Sequence, residues 1–453
     1  MRALIEEIAT LPSAETFGRV SAVQGLLIEV AGPVQAMRIG SRVDIADAAE
    51  RTIGCEVVGF KNNRAICMPF RHIDGVRMGC RAVVASQDLS VRPTRAWLGR
   101  VLNAFGEPID GRGPLPQGPD PMPLRASPPP AHLRSRVGEP IDLGVRAINT
   151  FLTCCRGQRM GIFAGSGVGK SVLFSMLARN ASADVTIIGL IGERGREVQE
   201  FIEDDLGPEG LKNAIVVVAT SDETALMRRQ AAWLTMTLAE YFRDQGADAL
   251  CLIDSLTRFA MAQREVGLAG GEPPTAKGYT PTVFSELPRL LERAGPGVGK
   301  GSITGLFTVL VEGDDHNEPV SDAVRAIVDG HIVMERSIAE RGRFPAISIL
   351  KSVSRTMPGS ADPEYLPVIR KARELMATYT DMEELIRLGA YRRGSNDAVD
   401  EAIDRNADLE AFLAQEKDET SSIQDGYERL ARIVIGGGEE WPQERGALTD
   451  EVP

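Results

Sequence analysis

The middle of this chain is expected to fold as an α/β domain around a mainly parallel sheet, with a small β-barrel before it and a helical region after it. Three observations carry that expectation. Between residues 145 and 357, apolar strand-like runs at 186–191, 214–218, 249–253 and 306–311 alternate with stretches of helical spacing, the pattern of βαβ units. Residues 17–90 carry short β-rich runs punctuated by Gly and Asn, such as Gly18-Arg19-Val20, Leu26-Leu27-Ile28-Glu29-Val30 and Glu56-Val57-Val58-Gly59-Phe60, and short strands at close spacing suggest a barrel. After Asp362 the pattern turns helical, over 370–379, 382–388 and 398–413.

Taken in order, residues 1–16 predict a short helix with Leu4, Ile5, Ile8 and Leu11 on one side, packed on its own domain or docked on a partner. Trp97-Leu98-Gly99-Arg100-Val101 opens the unit that follows the barrel. A connector from Pro108 through Pro128-Pro129-Pro130 to Pro140 is too broken by proline for helix or central strand, so it should cross a surface as extended chain. Gly436-Gly437-Gly438 and the acidic end beyond it predict a loose tail. The expected divisions are 1–16, 17–90, 91–360 and 361–453.

The α/β region is organised around Gly161-Ile162-Phe163-Ala164-Gly165-Ser166-Gly167-Val168-Gly169-Lys170-Ser171. A short apolar run at 160–163 leads into it, and Val172-Leu173-Phe174 with Met176-Leu177 leaves it at helical spacing: strand, glycine loop, helix. Ala164 stands where the loose P-loop pattern has Gly, a place at the end of the incoming strand that needs only a small residue. Gly165, Gly167 and Gly169 let consecutive N–H groups converge on phosphate oxygens at a helix N-terminus, where the dipole also favours anions. Lys170 would bring a point charge to the β/γ-phosphates and the Ser171 hydroxyl would ligate Mg²⁺.

Two more strand ends carry acids. Ala249-Leu250-Cys251-Leu252-Ile253-Asp254 places Asp254 where it could orient Mg²⁺ or its waters at the carboxyl edge of the sheet. Ile191-Gly192-Glu193-Arg194-Gly195-Arg196-Glu197 offers Glu193 to polarise an attacking water, with Arg194 touching phosphate or holding the glutamate. Lys351-Ser352-Val353-Ser354-Arg355-Thr356-Met357-Pro358 offers Arg355, at a strand end before a proline turn, as a cation that could reach a neighbouring subunit's γ-phosphate.

Bulk properties narrow the function classes. Hydrophobic residues at 43% and charged residues at 25% of 453 leave ample core for several domains. A net charge of −12 with 5% aromatics gives no electrostatic or stacking support to a nucleic-acid partner, and none is expected. The six cysteines, Cys55, Cys67, Cys80, Cys154, Cys155 and Cys251, form no C-x-x-C pair and predict buried free thiols in a reducing cytoplasm. No apolar run approaches the ~18 residues of a membrane span, so a cytoplasmic protein with at most peripheral membrane association is expected.

With these residues assembled, the chain resembles the catalytic subunits of the rotary ATP synthase head and, within that superfamily, the ATPases of flagellar and type III protein export. The resemblance covers nearly the whole chain. It rests on Phe163-Ala164-Gly165-Ser166-Gly167-Val168-Gly169-Lys170-Ser171, Gly192-Glu193-Arg194-Gly195-Arg196-Glu197-Val198, Phe201-Ile202-Glu203-Asp204-Asp205-Leu206-Gly207, Asp254-Ser255-Leu256-Thr257-Arg258-Phe259-Ala260, Val311-Glu312-Gly313-Asp314-Asp315 and Ser352-Val353-Ser354-Arg355. Arg387-Leu388-Gly389-Ala390-Tyr391-Arg392-Arg393-Gly394 and Glu312-Gly313-Asp314-Asp315-His316-Asn317-Glu318-Pro319 are similar to the flagellar branch, with a virulence-type, non-flagellar type III secretion ATPase as the alternative.

The resemblance implies a RecA-like P-loop core with an N-terminal β-barrel and a C-terminal helical domain, and Mg²⁺-dependent ATP hydrolysis. It implies that Gly165, Ser166, Gly167, Val168, Gly169, Lys170, Ser171 and Val172 wrap the phosphates of ATP or ADP. Glu193 would be the catalytic glutamate, Arg194 its neighbour, Ser171 and Asp254 the metal side, Arg355 the finger supplied in trans, and Phe344 the aromatic that stacks on adenine. It further implies a homohexameric ring, a stalk-like protein in its centre, a peripheral regulator near the N-terminus, a membrane export gate, and export substrates with their chaperones. The location implied is the cytoplasmic face of the inner membrane at the export apparatus. Three other readings share this core. A rotary synthase subunit would pair with a homologous non-catalytic partner, a non-hydrolysing subunit would lack Glu193, and an RNA translocase should carry a basic, aromatic module before Ser90.

Overall fold

In the computed structural model, residues 15–47, 49, 51–85, 89–311, 313 and 318–435 are described. The expected N-terminal helix with Leu4, Ile5, Ile8 and Leu11, and the expected tail beyond Ile435, lie outside the described residues. The chain divides into two compact units that interleave along the sequence. The first takes the chain up to Gly138, then Arg156–Ser166 and Ala183–Asp329. The second takes Glu139–Cys155, Gly167–Ser182 and the chain from Gly330 onward, so the boundary passes through the glycine loop.

The first unit opens with the expected barrel. Six strands, β1 (Phe17–Gln24), β2 (Leu27–Ala31), β3 (Arg42–Ala46), β4 (Thr52–Lys61), β5 (Arg64–Pro69) and β6 (Arg81–Val84), close in the order β1-β2-β5-β4-β3-β6. Alternation fixes which side faces in: Val20, Ile28, Val30, Val43, Ile45, Cys55, Val57, Ala65 and Cys67 fill the interior. The β-rich runs named from the sequence fall in β1, β2 and β4; β3, β5 and β6 are further strands of the barrel. The proline-rich connector runs extended, with β7 (Ser90–Val91) paired to β9 (Met122–Pro123) and Leu115 and Leu124 buried beneath it. Between them β8 (Arg100–Leu102) joins the edge of the main sheet.

That sheet in the first unit is parallel, in the order β10 (Arg159–Ala164), β15 (Ser302–Leu310), β13 (Asp248–Asp254), β11 (Val185–Ile191), β12 (Ala214–Ala219), β8, with the short β14 (Gly295–Pro296) antiparallel to β15. Every residue of β11 and β12 is buried, which is why these strands read as unbroken apolar runs. The helix Ala225–Asp244 packs on β11 so closely that a Cβ at Gly189 would stand 2.5 Å from Thr235 Oγ1. Glu56, 4% exposed, ties the barrel to this helix: its carboxylate accepts from Arg229 at 2.5 Å and from Arg125 at 2.7 Å, and both guanidinium groups lie over the Trp233 ring.

The second unit combines the helices Arg146–Phe151 and Lys170–Asn180, the antiparallel pair β16 (Gly330–Met334) and β17 (Ile347–Ser354), and a C-terminal set of helices. Two expectations for that set change. Leu366–Arg387 is one continuous helix where the sequence suggests two; Thr380, in the gap between them, turns its hydroxyl back to the Met376 carbonyl at 2.8 Å and so satisfies its own polar group inside the helix. Ile423–Ile435 is a further helix that the periodicity did not reveal. Its Gly426 faces the helix Arg146–Phe151, and a Cβ there would stand 2.4 Å from Thr150 Oγ1. Tyr365 stacks on Tyr427 with ring centroids 5.1 Å apart, and Phe151 meets Phe412 edge-on.

Candidate active site

The acidic side chains come from the carboxyl ends of the first unit's strands. Register brings those ends to one edge of the sheet: Ala164 of β10 pairs with Leu310 of β15, Ile253 of β13 with Phe307, and Leu190 of β11 with Asp254. In an open parallel sheet this edge is where ligands bind. Asp254, 4% exposed, ends β13, and Thr308 Oγ1 donates to its Oδ1 at 2.6 Å. Thr308 escaped the sequence reading, although a hydroxyl inside the apolar run of β15 was a usable signal.

Glu193 stands two residues past the end of β11, partly buried. Its backbone is fixed on both sides: Gly192 N–H donates to the Ala219 carbonyl at 2.6 Å, and the Glu193 carbonyl accepts from Ser221 N–H at 3.0 Å. Gly192 takes φ of +73°, and any Cβ there would press on the Arg258 side chain at 3.0 Å, so this turn needs glycine. Arg194 is exposed and pairs with Glu197 at 2.8 Å, so it is engaged with the first turn of the helix Gly195–Glu200 that follows it.

The glycine loop leaves β10 and enters the helix Lys170–Asn180, as the sequence predicts, with Gly169 at φ +89° capping the helix. Val168 is fully buried under the loop, whereas Ser166, Ser171 and Val172 are exposed. Within the second unit the Phe344 ring, 42% exposed, lies over this helix start: a Cβ at Gly169 would stand 3.2 Å from Phe344 Cδ1. Arg355 follows β17 directly and is exposed. Its neighbours are pinned, Ser354 Oγ and Thr356 Oγ1 donating to the Thr153 carbonyl at 3.0 and 3.1 Å. Glu312, Asp314, Asp315, His316 and Asn317 lie outside the described residues.

A strand–glycine loop–helix followed by acids at neighbouring strand ends is nucleotide-binding architecture. Residues 144–354 match the nucleotide-binding domain of the ATP synthase alpha/beta family, and residues 361–432 match the T3SS EscN ATPase C-terminal domain. The flagellum-specific ATP synthase of Caulobacter vibrioides is 59% identical over 440 residues, covering 96% of this chain and 99% of that protein. The chain belongs to the family of flagellum-specific ATP synthases and type III secretion ATPases.

Solved structures agree. The assembled ATPase EscN of the enteropathogenic E. coli type III secretion system superposes with a TM-score of 0.87 at 42% identity, covering 92% of this chain and all of that one. The same ATPase in complex with its central stalk EscO gives a TM-score of 0.84 at the same identity and coverage. The expected fold, a barrel, a P-loop core and C-terminal helices, is therefore the fold of this ATPase. Among its described residues no helix is long and apolar enough to cross a membrane.

Proposed function

We propose that this ATPase hydrolyses ATP in a homohexameric ring and serves flagellar protein export. The observation that supports the chemistry best is the carboxyl edge of the parallel sheet, which presents buried Asp254 beside the strand leading to Glu193 and next but one to the strand leading into the glycine loop. The flagellar branch is favoured by the 59% identity to a flagellum-specific relative, against 42% to the EscN structure.

The roles divide by chemistry. Backbone N–H groups of Gly165, Ser166, Gly167, Val168 and Gly169 and the start of the helix, through Val172, hold the phosphates, and Lys170 adds its charge. Ser171 and Asp254 offer a hydroxyl and a carboxylate, the hard oxygen set that suits Mg²⁺, which would supply charge neutralisation to the phosphates when bound. Glu193 orients the attacking water, Arg194 follows it paired with Glu197, and Phe344 stacks on the adenine. Arg355, exposed on a pinned strand end, reaches the γ-phosphate of the next subunit.

A central stalk protein is the first partner this reading requires, since the related EscN is solved with its stalk EscO. A regulator at the N-terminus, a membrane export gate and chaperone-bound substrates complete the proposed set, at the cytoplasmic face of the inner membrane. The test is steady-state hydrolysis alongside separate ATP binding for wild type, Lys170→Ala and Glu193→Gln. Glu193→Gln is expected to bind ATP and lose about 10²- to 10⁴-fold in kcat, while Lys170→Ala loses binding as well. Normal turnover in Glu193→Gln contradicts the assignment.

A further inference from the structure

The turn after the helix Asp397–Leu413 is tied to the loop that carries Phe344. Gln415 N–H donates to the Phe344 carbonyl at 2.8 Å. The Phe344 ring is 42% exposed, so its own packing fixes it only in part, and this backbone bond is the anchor nearest to it. The Gln415 side chain, 5% exposed, helps to fix the turn in its place. Its Oε1 accepts from the Arg146 backbone N–H, and its Nε2 donates to the Gly144 and Glu419 carbonyls, all three at 2.8 Å.

All three bonds go to backbone, so the side chain is a strut between residues 144–146 and the turn. Arg146, 1% exposed, braces the same turn by donating to the Phe412 and Ala414 carbonyls at 2.8 and 3.0 Å and to the Glu419 carboxylate. The two ends of the amide are not interchangeable: an acceptor meets an N–H and a donor meets two carbonyls. A carboxylate would set an oxygen against both carbonyls, and a thioether of similar length would make none of the bonds.

We infer that Gln415 is a positioning residue for the nucleotide base, holding the Phe344 loop so that the ring stands over the start of the P-loop helix. The inference rests on the reading of Phe344 as the adenine contact, and Gln415 acts through Phe344. Its effect is therefore confined to the base end of the ligand. A ligand with the phosphates and no base, held by the glycine loop alone, should not sense the change.

The experiment measures binding of ATP and of inorganic tripolyphosphate to the full chain for wild type, Gln415→Met, Gln415→Glu, Phe344→Ala and the Gln415→Met/Phe344→Ala double variant, with thermal melts alongside. Gln415→Met is expected to weaken ATP about 3- to 10-fold, the size of one aromatic stacking contact, with tripolyphosphate binding within about twofold of wild type. Gln415→Glu should weaken ATP further, and the double variant should bind no worse than Phe344→Ala alone. If Gln415→Met fails to fold, Gln415→Asn, one methylene shorter and unable to span both ends, is read in the same way. Wild-type ATP affinity in the Gln415 variant beside a weakened Phe344→Ala overturns the positioning role and leaves the base contact standing. Equal weakening of ATP and tripolyphosphate also overturns it, by assigning Gln415 to the fold or the P-loop helix. Unchanged ATP affinity in Phe344→Ala removes both readings together.

Discussion

Asp254 and Arg355 each mark the end of a β-strand, yet they are held in opposite ways. Asp254 is 4% exposed and takes a hydroxyl donor from Thr308, whereas Arg355 stands in solvent between two neighbours pinned to the Thr153 carbonyl. A buried carboxylate needs its partners inside the chain or in a ligand, because an unmatched charge away from water is costly. An exposed cation on a fixed backbone can meet a partner from outside, which is the role proposed for Arg355. The contrast separates what a single chain holds inside from what, in the proposed ring, a neighbour would meet.

The largest effect is expected where the outside partner acts. Arg355→Ala should lower kcat by about 10³-fold or more while leaving the melting temperature and ATP binding near wild type. A loss of stability instead would make Arg355 an internal residue and erase the contrast. Burial makes the opposite demand at Glu56, whose carboxylate neutralises the buried Arg229. Glu56→Gln should cost about 3–5 kcal/mol in unfolding free energy, read by denaturant titration, because it leaves that guanidinium uncompensated.

A smaller effect sharpens the reading of Asp254. Thr308→Val removes a hydroxyl donor from a charged acceptor and should reduce kcat/KM by about 10- to 100-fold, with a raised Mg²⁺ requirement, at nearly unchanged stability. Wild-type kinetics would show that the hydroxyl has no part in holding the acid. The smallest effect concerns thiols. Burial pushes Cys67 and Cys251 up to about 12, so both should resist alkylation at pH 8 in the folded protein, where Cys80, only partly buried, reacts first. Mass spectrometry of the labelled chain checks the order, and rapid labelling of Cys251 would contradict the packing of β13.

What the sequence made legible follows from burial. The strands β11, β12 and β13 are covered on both faces, so they read as apolar runs, and the acids that end or follow them stood out. Barrel strands such as β3 alternate between inside and outside over five residues and carry Arg42 and Asp44, too weak a pattern to separate from loop. The helix Ile423–Ile435 was hidden by Gly426, a residue that disfavours helix yet is required here by the approach of Thr150. Gln415 had no signal at all. Its partners are backbone groups of residues 144–146 and 419, a meeting that exists only once the two segments of the second unit are folded together.

In the proposed ring, hydrolysis needs two chains. Steady-state ATPase activity per chain, measured against protein concentration with light scattering in parallel, should rise as rings assemble. Glu193→Gln and Arg355→Ala should each be inactive alone, and mixing them should restore turnover at interfaces that unite an intact Glu193 with an intact Arg355. Constant specific activity down to dilutions at which the protein is monomeric, or full activity in Arg355→Ala, would contradict a site completed in trans.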